Sequence, residues 1–154
     1  FLGYGNGSFE RQTIYTTGLY SNPSSIAIAD FNNDNHLDIF VANNGTGNLG
    51  ILFGFGNGTF KAQTIYHINA KSRLQYIDIG DFNGDNRLDV AAADSVNDQI
   101  YIVLGSGNDT FTTLTTYEGI SKSRPFSIAI VDFNKDNQSD IVVANYGTNN
   151  VLVM

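Results

Sequence analysis

Cysteine is absent from the 154 residues. Neither a disulfide nor a thiolate metal site can form, and the redox compartment stays open. Cationic side chains are scarce. Eight Lys and Arg stand against fifteen Asp and Glu, the net charge is −7, and no basic cluster exists, which argues against a nucleic-acid partner. No apolar run approaches membrane-spanning length, and no segment keeps a helical period long enough for a helix. No signal peptide precedes Phe1, so the chain reads as processed or as an excerpt of something longer. The catalytic motifs are also missing. There is no Gly-x-Ser-x-Gly elbow, His-Glu-x-x-His motif or phosphate loop. Of the two histidines, His67 falls in an outer strand and His36 in a loop where only its carbonyl is needed. Gly45-Thr46-Gly47-Asn48-Leu49-Gly50 fits a dinucleotide fingerprint, but no helix follows, and a hairpin turn explains it better. The sequence therefore predicts no intrinsic enzyme.

What is present repeats. Hydrophobic residues make up 42% of the chain, enough for one domain, residues 1–154, with a real core. A period of 51 runs through it without a gap: Phe9, Phe60 and Phe111 match, as do Tyr15, Tyr66 and Tyr117, Ile28, Ile79 and Ile130, and Ala42, Ala93 and Ala144. The repeats are approximately 1–51, 52–102 and 103–153, and Met154 falls on the register of Phe1. Both ends thus lie at one point of the repeat, inside an apolar run, where an unpaired edge would invite association.

Each period holds four short apolar runs, in the first complete copy 25–29, 37–42, 49–53 and 60–68. Ser25-Ile26-Ala27-Ile28-Ala29 alternates as a half-buried strand does. Leu37-Asp38-Ile39-Phe40-Val41-Ala42 is continuous, as in a strand buried on both faces. The separators are Gly/Asn-rich hairpin turns. Four-stranded antiparallel units at this period point to propeller-type blades, which bury their faces only by stacking; a β-solenoid or a linear array of hairpin sheets is the alternative. Small residues on the first strand (Ala27, Ala29, Gly80, Ala129) suit a crowded place near a propeller axis. The expected fold is all-β, three blades forming part of a larger propeller or repeat assembly.

The chemistry lies between the first and second strands. Asp81-Phe82-Asn83-Gly84-Asp85-Asn86-Arg87-Leu88-Asp89 recurs as Asp30-Phe31-Asn32-Asn33-Asp34-Asn35-His36-Leu37-Asp38 and Asp132-Phe133-Asn134-Lys135-Asp136-Asn137-Gln138-Ser139-Asp140. Oxygen side chains at relative positions 1, 3, 5 and 9, with the carbonyl of position 7, suit a hard cation such as calcium. The ligands would be Asp30, Asn32, Asp34, Asp38 and the carbonyl of His36; Asp81, Asn83, Asp85, Asp89 and the carbonyl of Arg87; Asp132, Asn134, Asp136, Asp140 and the carbonyl of Gln138. Position 6 is Asn, the residue after Gly that best tolerates a left-handed backbone. An EF-hand would need Glu at position 12, where Val41, Ala92 and Val143 stand. About three Ca2+ per chain would nearly cancel the net charge of −7.

These motifs resemble the FG-GAP/VCBS repeats, the blades of integrin α-subunit head propellers and of many secreted adhesins and lectins. The matching parts are the Asp-Phe-Asn-x-Asp-x-x-x-Asp loop, the following Val-Ala-Asn (Val41 to Asn43, Val143 to Asn145), and the turn Leu-Gly-x-Gly-Asn-Gly-x-Phe. The middle copy departs from this with Ala91-Ala92-Ala93-Asp94. The resemblance implies calcium in each loop, an extracellular, secreted or cell-surface location, and a structural or adhesive role with further blades of the same chain or copies of itself. Two other functions stay open: a subunit of a glycosylated extracellular filament, and a carbohydrate- or protein-binding, lectin-like propeller using loops or clefts between blades. Tyr20, Tyr101, Tyr117 and Tyr146 are the aromatics available to the latter. Glycan acceptor triplets occur at Asn6, Asn44, Asn57 and Asn108, and at Asn137 inside a metal loop. The competing explanation is that Asn-Gly-Ser/Thr is good turn chemistry.

Overall fold

The computed structural model describes residues 2–154, apart from the side chains of residues 113 and 114. Phe1, the register mate of Met154, lies outside them. Eleven strands form three antiparallel sheets, and among the described residues there is no helix. The first blade is β1 (Pro23–Ala29), β2 (Asp38–Asn43), β3 (Asn48–Leu52) and β4 (Thr64–His67), in that spatial order. The second is β5 (Leu74–Gly80), β6 (Asp89–Asp94), β7 (Gln99–Gly105) and β8 (Phe111–Glu118). The third has three strands: β9 (Pro125–Val131), β10 (Asp140–Asn145) and β11 (Asn150–Val153). The sheets do not close into a ring.

Pairing follows the repeat: Ile28 lies opposite Ile39, Ile79 opposite Val90, and Ile130 opposite Ile141. Each first strand also carries a one-residue irregularity at its second residue, so that Ser24, Gln75 and Phe126 have no partner in the ladder. The first strands of successive blades are neighbours. Ser24 Oγ donates to Leu74 O at 2.6 Å, and Ile130 N donates to the Asp78 carboxylate at 3.1 Å. A Cβ on Gly80 would stand 2.9 Å from Ile130 Cγ2, so the expectation of small residues on this strand has a steric cause.

The core lies between sheets. Phe31, Phe40, Leu49 and Ile51 of the first blade pack with Leu74, Ile77, Val90 and Val103 of the second. Ala91, Ala93, Ile100 and Ile102 on the other face meet Ile128, Ile141 and Val143. Strand β6 is buried throughout, because both its faces are covered.

Two expectations need correction. The run 60–68 is not one strand in the first blade. Phe60 makes an isolated bridge to Gly54, and β4 begins only at Thr64; its counterpart β8 is continuous from Phe111. The apolar start of the chain also forms no named strand, only a bridge between Gly3 and Phe9. This segment lies where a preceding blade's outer strand would lie. Tyr15 meets Phe60 edge-on at 5.4 Å, as Tyr66 meets Phe111 at 5.4 Å.

Candidate metal centres

The three β1–β2-type loops share one internal scaffold. In the second, the Asp81 carboxylate accepts from the main-chain N–H of Asn83, Gly84, Asp85 and Asn86 at 2.7–3.2 Å. Asn83 Oδ1 accepts from Asp85 N at 3.0 Å, and Asp85 accepts from Arg87 N at 2.9 Å. Asp30 and Asp132 wrap their own loops in the same way. Such folding around one carboxylate needs two left-handed residues. Position 6 is one, as expected: Asn35, Asn86 and Asn137 have φ of 65°, 60° and 65°. Position 4 is the other, with Asn33 at 62°, Gly84 at 73° and Lys135 at 64°. The sequence reading missed this second position although Asn33 and Gly84 suit it, because Lys135 breaks the pattern in the third copy.

Position 9 opens the second strand; Asp38 and Asp89 are buried, and Asp140 is half-buried. Asp89 accepts from Phe82 N and Gly105 N, both at 2.9 Å, and Asp38 accepts from Phe31 N at 3.0 Å and Gly54 N at 2.8 Å. Asp38 therefore fastens its loop to the β3–β4 turn and Asp89 to the β7–β8 turn, while Asp140 accepts from Phe133 N at 2.8 Å. Gly54 and Gly105 are required there, since a Cβ would run into the carbonyls of Leu37 and Leu88. Burial pushes Asp89 above the usual carboxylate range; the two N–H donors oppose this, and the charges of Asp85 and Asp81 add to it. Asp38 is raised by the same causes. Asp81 moves down: burial opposes the shift, but its N–H donors prevail. Asp34 is also lowered, chiefly by the Asn32 side chain.

Positions 1, 3 and 5 are thus gathered on each loop. Asn32 Nδ2 lies 3.0 Å from the Asp34 carboxylate, Asn83 Nδ2 3.2 Å from Asp85, and Asn134 Nδ2 2.9 Å from Asp136. His36, Arg87 and Gln138 join through their N–H, and the His36 ring also lies 3.4 Å from Asp34. Among the described residues, no three carboxylate or imidazole groups meet at a single point. Positions 1 and 5 are held by loop amides, and Asp38 and Asp89 at position 9 are turned toward the β3–β4 and β7–β8 turns. The residues nonetheless fit a hard cation by donor type. All side-chain donors are oxygens, and a carboxylate has about four acceptor sites, of which Asp89 uses two.

A family model of the FG-GAP-like repeat matches the chain three times, over residues 1–41, 30–92 and 81–143. The chain belongs to the FG-GAP-like repeat family. No match to an individual curated protein accompanies this. The first two FG-GAP matches each run past a loop and into the strand that its position-9 Asp opens, and each following match starts at that loop's first Asp, Asp30 or Asp81.

The acceptor triplets behave as turns. Asn6 Oδ1 accepts from Ser8 Oγ, Asn57 Oδ1 from Thr59 Oγ1 and Asn108 Oδ1 from Thr110 Oγ1, each at 2.6 Å, with all three Asn exposed. Asn44 differs: its Nδ2, the atom a glycan would use, donates to Leu74 O at 3.1 Å. Of the four tyrosines, Tyr101 is buried against Asp94 and Gln99, while Tyr20, Tyr117 and Tyr146 are exposed. Sequence reasoning missed Asp109, in the β7–β8 turn, which accepts from Asn32 Nδ2 at 2.8 Å and pairs with Lys61 at 3.6 Å.

Proposed function

We propose that this chain is a non-enzymatic, calcium-stabilised module of an extracellular or cell-surface protein, with a structural or adhesive role. The observation that carries the reading is the threefold loop in which oxygen side chains at positions 1, 3 and 5 are pre-gathered on a scaffold of main-chain donors. The side chains at positions 1, 3, 5 and 9 would hold the ion. Bound calcium supplies positive charge where three carboxylates crowd one short loop. Asp38, Asp89 and Asp140 open the second strand of each blade, so order in the loop passes directly to the sheet. Asp85→Ala tests this. Its melting temperature should fall in millimolar calcium and change little in chelator. Equal loss in both conditions would contradict a metal role.

The partners we infer are further blades, of the same chain or of copies of it, and this also favours the filament reading. The buried series Ile77 and Ile128, 2% and 3% exposed, has its first member Ile26 at 59%. At the other end Ile100, 2% exposed, corresponds to Val151 at 64%. Both outer faces therefore carry the apolar positions that bury one blade against the next. Sedimentation velocity over a range of concentrations tests the role of copies. Head-to-tail growth that Ile26→Asp abolishes is expected; a monomer at every concentration would leave blades of the same chain as the partner.

A further inference from the structure

Between the second and third blades, at the strand ends opposite the candidate metal loops, lies a cleft of about 530 Å³ whose lining includes Gln75, Asp98, Lys122, Arg124, Phe126 and Tyr146. This is within the size range of small-molecule sites. Phe126 is the residue left out of the β9–β10 ladder, and irregularities of this kind re-aim a side chain. Its ring lies 6.5 Å from that of Tyr146 at 46°, and the two residues are 58% and 74% exposed. One blade earlier the same two places hold Gln75 and Ser95, which satisfy each other with a hydrogen bond of 2.9 Å. The aromatic pair is therefore a property of this cleft and not of the repeat.

The cations are also placed by the fold. Asp98 accepts from Lys122 N at 2.7 Å and Arg124 N at 2.8 Å, holding both residues at left-handed φ of 65° and 46°. Tyr20 and Asn22 repeat this backbone before the first blade, at 59° and 44°, whereas Lys71 and Arg73, the same residue types one blade earlier, do not. The cations recur in the preceding blade, and it is the aromatic pair beside them that distinguishes the site. Among the described residues the ion pairs are His36 with Asp34 and Lys61 with Asp109; Lys122 and Arg124 are in neither. Two of the eight basic residues of a chain with net charge −7 thus line one cleft, against the single carboxylate of Asp98.

We propose that this cleft binds an acidic saccharide, a sugar ring bearing a carboxylate. The apolar face of the ring lies on Phe126 and Tyr146, which present flat apolar surface at an exposed site. Arg124 and Lys122 receive the carboxylate, the guanidinium in a two-pronged contact. Gln75 Oε1 accepts from a ring hydroxyl, its Nε2 being engaged by Ser95 Oγ. The inference is independent of calcium.

The test is a titration of the isotope-labelled chain followed by amide chemical shifts, with methyl β-D-glucuronide, methyl β-D-glucoside and a short poly-glutamate peptide as separate probes. Saturable shifts at residues 122–126 and 146 with the glucuronide, and much weaker ones with the glucoside, are expected. Arg124→Asn, which keeps a residue suited to the left-handed backbone, and Phe126→Ala should each weaken binding on the order of tenfold. Lys71→Ala, at the equivalent place one blade earlier, should change nothing. Unshifted amides elsewhere report that each variant is folded, and Tyr146→Ala repeats the ring test should Phe126→Ala fail that check. Equal response to the glucoside, no response to the glucuronide, or tighter binding of the peptide would overturn the proposal.

Discussion

Asn32 Nδ2 donates to the carboxylate of Asp109 at 2.8 Å, across 77 positions of chain. This bond joins the first candidate metal loop to a turn of the next blade. It also gives the amide at position 3 of the first loop a second acceptor. Its Oδ1 faces the loop, accepting Asp34 N at 3.1 Å, while its nitrogen points both at Asp34 and at the neighbouring blade. Asn32→Asp would set a carboxylate against two others. In chelator its melting temperature should drop by about 3 °C, and the loss should shrink or reverse in calcium, where the added charge becomes a ligand. Thermal unfolding with and without calcium checks this; the same loss in both conditions would show that position 3 does not face an ion.

Asn86 holds φ at 60° in the middle loop. Asn86→Gly relieves that conformation and should leave stability within about 0.5 kcal/mol, whereas Asn86→Ala should cost about 1–2 kcal/mol. Denaturant unfolding of the two variants measures the difference. Equal values would mean that the loop is free to adopt another backbone.

Gly80 lies 2.9 Å, measured from an ideal Cβ, from Ile130 Cγ2 and 3.1 Å from Ser139 Oγ. Gly80→Val should destabilise the contact between the second and third blades by about 1–3 kcal/mol. Because the clash is with the end of a side chain, Ile130→Val in the same molecule should recover part of that loss. A double-mutant cycle reads the coupling, and strict additivity would contradict the packing described.

Asp94 is the buried carboxylate where the other blades have Asn43 and Asn145. Burial acts to raise it, but donors from Arg73 N, Ser72, Asn97 and Val96 N outweigh this, and it lies below the ordinary 3.8. A depressed folded value means that the group stabilises the protein above its unfolded pKa. That contribution fades as pH falls from about 4 through the lower folded value. Asp94→Asn should cost about 1–3 kcal/mol at neutral pH, and the gap to the parent should narrow only in strong acid. A gap that does not change with pH would show that charge at this position does no stabilising.

The blades and loops were legible because they are periodic. Ile26, Ile77 and Ile128 carry the same message three times, and the position-9 Asp opens a strand in all three copies. What escaped the sequence was set by contacts between repeats. Asp109 meets Asn32 only once two blades stack. The left-handed position 4 has Asn, Gly and Lys in turn, so the residue preference that marks it in two copies is broken by Lys135 in the third. Phe60 bridges Gly54 as Phe111 pairs with Gly105, yet only β8 runs on from that pair, and the run 60–68 carries no mark of the difference. Phe126 and Tyr146 form a pair because a ladder irregularity and a turn from neighbouring strands bring them together.

Calcium binding itself is the most direct test. Isothermal titration of the chelator-stripped chain with calcium should saturate at about three ions, with affinity in the range of extracellular modules, roughly 10⁻⁴–10⁻³ M. The combined variant Asp34→Ala, Asp85→Ala, Asp136→Ala should show no saturable heat. Absence of calcium binding by the folded parent chain, or an undiminished titration of the combined variant, would contradict the central claim.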